Sequence, residues 1–272
     1  MKRKSKAMNM FLHEIKTYRK STIIWTCALV AMSILFLSLF PSFSKDVVEF
    51  NKILENFPEG VRKAFGISTE SIATFIGFYS YTFLYILLCG AIQAMNLGLS
   101  ILSKEVREKT ADFLLTKPVT RMQIVTSKLL ASLTSLIITN AIYIALTTII
   151  ALIVTDERFD LKIFFMIAIT LFFIQLMFLS LGIFISVVVP KIKSVIPISL
   201  SIVFGFFIIS MFASVIGENS IRYITPFKYF DTAYIIKNSA YEVSFIVIEI
   251  IFIIVITAIS YIIYSKKDIH AV

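Results

Sequence analysis

Six long stretches without charged side chains constrain this chain more than any other feature of its sequence. Asp, Glu, Lys and Arg are absent from five of them, and the sixth contains a single Glu. Each is long enough for an α-helix to cross a hydrocarbon core, which takes about 20 residues. Transmembrane barrel strands are excluded because they alternate and run only about 10 residues. We therefore predict six spanning helices, at residues 21–40, 71–102, 129–154, 163–189, 194–216 and 243–264.

Composition supports the same class of protein. Hydrophobic residues make up 58% of the 272 residues and charged residues 16%, whereas a soluble domain has about 45–50% and about 25%. A disordered chain would be poor in these same apolar residues. We therefore expect an all-α integral membrane protein, with residues 1–272 forming a single transmembrane domain. The second predicted span is long enough that either its first turns lie at the surface or its last turns project beyond the lipid.

The distribution of basic residues predicts the orientation. With six spans, both termini lie on one side, and 17 of the 26 Lys and Arg residues fall on that side. Because cytoplasmic loops are enriched in Lys and Arg, we expect both termini to be cytoplasmic in a multi-pass protein of the cell membrane. The positive charge then faces anionic lipid headgroups and not nucleic acid, since it is divided among four short segments.

The sequence contains no recognisable catalytic apparatus. No His, Cys or carboxylate cluster has metal-ligand spacing, and no G-x-x-x-x-G-K-[ST] phosphate loop occurs. The two cysteines, Cys27 and Cys89, lie within predicted spans and are interpreted as small apolar residues. We therefore expect a protein that is not an enzyme and binds no cofactor of its own.

Two segments outside the spans have their own patterns. Residues 7–20 place Met8, Phe11 and Ile15 at helical spacing, which predicts an amphipathic helix in the inner headgroup region. In loop 103–128 an apolar block, 113–115, follows a charged stretch, and Pro118 then interrupts the helix. Thr120 can cap a new helix that leads into the third span. Since a solvated connector does not need exposed Phe and Leu side chains, this loop is predicted to dock a soluble partner.

The loop also resembles a known family. The run from Glu105 through Glu108-Lys109-Thr110 to Pro118-Val119-Thr120-Arg121, followed by Lys128, is similar to the signature of ABC-2 type transporter permeases. The resemblance implies a cytoplasmic coupling helix between the second and third spans, seated against a separate ATPase. The residues that it assigns to coupling are Glu105, Glu108, Thr110, Asp112, Phe113, Leu114, Leu115, Pro118 and Arg121.

A second resemblance lies in the loop before the last span. The stretch 226–231 resembles a Pro-Phe-x-Tyr-Phe-Asp sequence of the same family, which implies short re-entrant helices that form an outer gate over a permease dimer. The tyrosines of this loop also suit a simple aromatic belt at the interface. The gate residues that the resemblance implies are Pro226, Phe227, Tyr229 and Asp231.

Polar side chains within the spans are the remaining candidates for functional residues. We expect Asn140 to hydrogen-bond a neighbouring helix, and a place in the transport pathway is the alternative. Glu249 is costly in lipid and either reaches the outer headgroups or faces the transport pathway. Gln93, Asn96 and Gln175 are the other strongly polar residues of the spans.

These observations predict the permease subunit of an ATP-driven exporter. By resemblance, it pairs with an identical or homologous permease and with an ATPase that binds ATP and Mg²⁺. An ATP-independent secondary carrier is the alternative, although such carriers need ionisable groups near the midplane and only Glu249 is available. A membrane anchor that docks a soluble partner is a third possibility.

Overall fold

The computed structural model describes residues 2–45, 56–64, 74–107, 120–155, 158–189, 191–217 and 219–266. Within these ranges the secondary structure is helical, without strands. The six long helices, numbered first to sixth below, each contain a segment long and apolar enough to cross a membrane, so the prediction of six spans is confirmed. They are Lys2–Lys45, Phe75–Arg107, Arg121–Val154, Leu161–Val188, Val195–Ile216 and Val243–Lys266.

Three of the helices extend well past the charge-free stretches. The first begins at Lys2 and includes residues 7–20, the third begins at Arg121, and the second continues to Arg107. The last turns of the second helix carry Lys104 and Arg107 beyond the apolar stretch, and the position of its two ends relative to the lipid stays a prediction. Residues 7–20 are continuous with the first span, and their placement in the headgroup region stays a prediction.

Local sequence signals set the helix ends. At the third helix, the Thr120 hydroxyl accepts from the Gln123 N–H and the Gln123 side chain accepts from the Thr120 N–H, so the predicted cap at Thr120 is confirmed as a capping box. Asp160 caps the fourth helix through the N–H groups of Lys162 and Ile163. The fifth helix ends at Gly217, whose φ of 73° is the left-handed conformation that glycine adopts freely.

The second and fourth helices form the centre of the bundle. They cross where Gly98 and Gly182 face each other, so closely that a Cβ on Gly98 would lie 2.5 Å from the Leu179 carbonyl oxygen. A Cβ on Gly182 would likewise lie 2.8 Å from the carbonyl oxygen of Met95. Small residues permit such close approach in membranes, where apolar burial does not itself drive helices together.

The remaining helices surround this pair. The first packs along the third, and the fifth and sixth pack against the second and fourth respectively. At the ends opposite the termini, the rings of Phe40, Phe75 and Phe164 form an aromatic cluster between the first, second and fourth helices. We call this side the far face, and the side where the first helix begins and the sixth ends the terminal face.

Candidate functional site

The segment between the fifth and sixth helices folds back into the bundle from the far face. It contains the short helices Asn219–Arg222 and Thr232–Asn238 and a 3₁₀ turn, Pro226–Lys228. The Thr225 hydroxyl donates to the Phe206 carbonyl at 2.9 Å. Phe206 lies ten residues before the end of the fifth helix at Ile216, about 15 Å along the axis. The segment therefore reaches about halfway across the bundle, as a re-entrant element.

Aromatic side chains anchor the tip of this re-entrant segment. Phe227 is buried, and its ring centroid lies 5.3 Å from that of Phe178 and 5.6 Å from that of Phe207. Pro226, at the start of the 3₁₀ turn, is also buried. The tip thus wedges between the fourth and fifth helices, where an apolar side chain excludes water from the gap.

Several polar groups of the segment have hydrogen-bond partners. The buried Tyr229 donates its hydroxyl hydrogen to the Tyr223 carbonyl at 2.9 Å. Asp231 accepts from the N–H groups of Ala233 and Tyr234, which caps the helix Thr232–Asn238. Ser80 of the second helix donates to the Thr232 hydroxyl at 2.6 Å. A re-entrant backbone needs such partners, since an unpaired polar group is costly away from water.

A charged contact joins the segment to the sixth helix. Arg222 pairs with Glu242 at 2.5 Å, and its guanidinium lies 4.6 Å from the centroid of the Phe245 ring. Its Nη2 also donates to the Lys228 carbonyl. Burial lowers the pKa of Lys228, an effect that the nearby Asp231 carboxylate opposes. The contact holds the base of the segment against the start of the sixth helix.

Glu249 lies behind this segment. Glu249 is 4% exposed, and its Oε1 has no hydrogen-bond partner within the described part of the chain. Burial raises the pKa of Tyr229, and the Glu249 carboxyl raises it further, so the two groups interact electrostatically. Glu249 therefore does not reach out to the surface in this conformation, and it is covered by protein on the inner side of the re-entrant segment.

Three polar residues of the spans, Gln93, Asn140 and Gln175, belong to one chain of hydrogen bonds across four helices, whereas Asn96 separately accepts from Ser199 at 2.9 Å. Gln175 of the fourth helix donates to Gln93 at 3.0 Å and accepts from Asn140 at 2.6 Å. Gln93 then donates to Thr139 at 3.1 Å, and Thr139 shares a hydrogen bond with Thr26 of the first helix at 2.9 Å. The expected interhelical bond of Asn140 is confirmed. These buried side chains hold helices together, and the Asn140 Oδ1 is left without a hydrogen-bond partner among the described residues.

Most of the predicted coupling residues fall outside the part of the chain that the structure describes. Arg121 starts the third helix, and its Nη1 donates to the Ser265 carbonyl at 3.4 Å. Glu105 lies in the last turns of the second helix, and its side chain is not among those described. The rest lie outside the described residues: Glu108, Thr110, Asp112, Phe113, Leu114, Leu115 and Pro118.

Sequence reasoning missed an ion pair on the terminal face. Lys128 Nζ lies 3.0 Å from Glu14 Oε1, and it also donates to the Ile101 carbonyl at 2.7 Å. Both charged residues are buried, Lys128 at 0% and Glu14 at 5% exposure. The available signal was the apolar residues at helical spacing from each, which are Met10, Phe11 and Tyr18 for Glu14 and Ile124, Val125 and Ala131 for Lys128.

Fold and site together define a multi-pass helical membrane protein with a re-entrant segment on one face. The sequence profile of the ABC-2 family transporter protein matches residues 8–269, nearly the whole chain. The chain therefore belongs to the ABC-2 family, whose members are transport subunits in the membrane. No curated protein sequence matches it significantly.

Proposed function

We propose that this chain is the transmembrane subunit of an ATP-driven exporter and that a separate ATPase subunit supplies the energy. The match to the ABC-2 family over residues 8–269 carries the proposal. The sequence supports it further, because a chain without a G-x-x-x-x-G-K-[ST] loop needs a partner that binds ATP and Mg²⁺. Catalysis of hydrolysis then belongs to that partner.

The terminal face is the cytoplasmic side in this proposal, because most of the Lys and Arg residues lie there. The loop between the second and third helices leaves from that side, between Arg107 and Thr120. Its apolar block, Phe113-Leu114-Leu115, docks the ATPase, with Arg121 and the acidic residues before it as a charged rim. Closure of the ATPase pair on ATP then moves the helices on either side of the loop.

The far face is the exit side, and the re-entrant segment is its gate. A plug formed by Phe227, held by the Arg222–Glu242 pair, closes the path between the fourth and fifth helices when ATP is absent. A second permease chain, identical or homologous, completes the path and gives twelve spans in all. Glu249 lies behind the gate, where a change in the position of Tyr229 would alter its surroundings.

The test begins with the complex isolated from native membranes through an affinity tag on this chain. The expected result is one co-purifying protein with a G-x-x-x-x-G-K-[ST] loop and measurable ATP hydrolysis. Burial of one apolar side chain is worth about 1.5–3 kcal/mol. Phe113→Ala combined with Leu114→Asp should therefore weaken ATPase association about tenfold or more, without loss of chain from the membrane.

Phe57→Ala is the matched control, because Phe57 is an exposed Phe (47%) that follows the first helix on the far face. It should leave the ATPase bound. A double variant that retains the ATPase at the wild-type affinity would overturn the assignment of the loop. Absence of any ATPase from the wild-type preparation would instead point to the ATP-independent carrier.

A further inference from the structure

The first two turns of the third helix contact three other helices on the terminal face. Lys128 Nζ reaches Glu14 of the first helix at 3.0 Å and the Ile101 carbonyl of the second helix at 2.7 Å. Thr126 shares a hydrogen bond with Tyr261 of the sixth helix at 3.0 Å. Polar contacts thus connect four of the six helices within a short stretch that directly follows the 108–119 loop.

The position of the Glu14–Lys128 pair is unusual. The apolar stretch of the first helix starts at residue 21, so Glu14 lies seven residues, about 10 Å, outside it. At that level a charged side chain can reach headgroups and water, yet both residues are buried in protein. Burying two charges costs several kcal/mol in desolvation unless the pair is well made. Plain packing of these helix ends would not need such a pair.

The Lys128 ammonium makes two polar contacts that an apolar side chain could not make. Ile101 lies six residues before the end of the second helix, and its carbonyl oxygen has a second lone pair that accepts a hydrogen bond from the ammonium. One group therefore binds a carboxylate of the first helix and a carbonyl of the second helix, while its own backbone belongs to the third. Removal of the ammonium breaks both contacts at once, whereas removal of the carboxylate breaks one.

Next to the pair, the first and third helices leave space between them. An open groove of about 580 Å³ separates them there, lined by Met8, Phe11, Met122 and Leu130 among others. Met8 and Met122 are 57% and 50% exposed on its two walls. The width of this groove therefore reports whether the two helix ends stay together.

We propose that Lys128 and Glu14 are positioning residues that make the terminal-face ends of the first, second and third helices move as one body. The proposal rests on the proposed function, since the motion that they transmit is the one that the ATPase imposes on the loop. The third helix receives that motion first, and the ammonium passes it to its two neighbours. Without the pair, the third helix moves alone and the far-face gate does not respond.

Spin labels at Met8→Cys and Met122→Cys measure the groove, in a background with Cys27→Ser and Cys89→Ala. In the chain alone, in lipid nanodiscs, the label separation should be narrowly distributed. Lys128→Met should broaden it, Glu14→Gln should broaden it less, and Lys128→Arg should keep it narrow because the donors remain. Glu242→Gln is the matched control, because it removes one carboxylate of an ion pair on the far face and should change nothing here.

The complex with its co-purified ATPase supplies the second readout. In the labelled protein that keeps Lys128 and Glu14, the label separation should be the same with and without a non-hydrolysable ATP analogue. In Lys128→Met, the separation should change when the analogue is added. A purely structural role predicts lower stability in Lys128→Met but an unchanged response to nucleotide. Failure to find an ATPase would refute the proposed function, whereas the measurement on the chain alone would still decide whether the pair holds the helix ends.

Two results would overturn the inference. One is a Met8–Met122 separation in Lys128→Met that matches the unsubstituted pair in both width and nucleotide response. The other is equal broadening by Glu242→Gln, which would show that any loss of an ion pair loosens the bundle.

Discussion

The crossing of the second and fourth helices at Gly98 predicts a clear penalty for one added methyl group. A Cβ at Gly98 would lie 2.5 Å from the Leu179 carbonyl oxygen, against 3.4 Å for an ordinary contact, a shortfall of about 0.9 Å. It would also lie 3.1 Å from the Gly182 Cα. These neighbours are backbone atoms, which cannot rotate away as a side chain can. Gly98→Ala must therefore push the two helices apart.

The size of the effect follows from two opposing contributions. Overpacking of a well-packed core costs about 1–3 kcal/mol, while replacing a helical glycine by alanine gains up to about 1 kcal/mol. Gly205→Ala should show only the gain from replacing a helical glycine, because nothing lies within 4 Å of a Cβ at that position in the fifth helix. Gly98→Ala should thus be less stable than Gly205→Ala by about 1–3 kcal/mol.

Thermal unfolding of the two purified variants in the same detergent measures this difference. Gly205→Ala should unfold at or slightly above the wild-type temperature, and Gly98→Ala below it. An unfolding temperature for Gly98→Ala equal to that of Gly205→Ala would refute the close crossing of the second and fourth helices.

Three further predictions address other parts of the molecule. In intact cells and a cysteine-free background, Ser220→Cys should react with an impermeant thiol reagent and Ser265→Cys should not; the reverse pattern would invert the orientation. Gln175→Leu should lower the unfolding temperature, because it breaks two interhelical bonds worth about 0.6–2 kcal/mol each; an unchanged temperature would contradict the network. Glu249→Gln should preserve membrane level and stability, since the side chain keeps its shape without a buried charge, and a large fall would show that the charge has a partner.

The number and order of the spans could be predicted because each is longer than any buried helix of a soluble domain needs to be. Their ends could not be read from charge alone. The third helix starts at Arg121, eight residues before the charge-free stretch, because the Thr120 capping box sets its start. The predicted cap at Thr120 already places Lys128 within the helix, but its burial against Glu14 could not be read from the sequence.

The polar residues of the spans illustrate a second limit. The sequence identified Asn140 as a residue that needs a hydrogen-bond partner, since an unpaired amide is costly in lipid. It could not identify Gln175 as that partner, because the register between two helices depends on packing at positions such as Gly98 and Gly182. No helix carries two glycines four residues apart, which is the usual sequence sign of close helix packing in membranes. This crossing uses one glycine from each of two helices, so that sign is missing.

In the re-entrant segment, the sequence predicts neither where the chain turns nor which polar groups it contacts. Two of its tyrosines show this. Tyr223 is 53% exposed, as the aromatic-belt interpretation expects, whereas Tyr229, six residues later, is 5% exposed, although both rings lie 5.2 Å from that of Phe245. The aromatic-belt interpretation treats the two tyrosines alike, and only the resemblance to the family sets Tyr229 apart as a gate residue. They differ because the chain between them turns at Thr225, whose hydroxyl bonds a carbonyl deep in the fifth helix. That bond forms only when folding brings Thr225 next to the fifth helix, so the sequence does not reveal it.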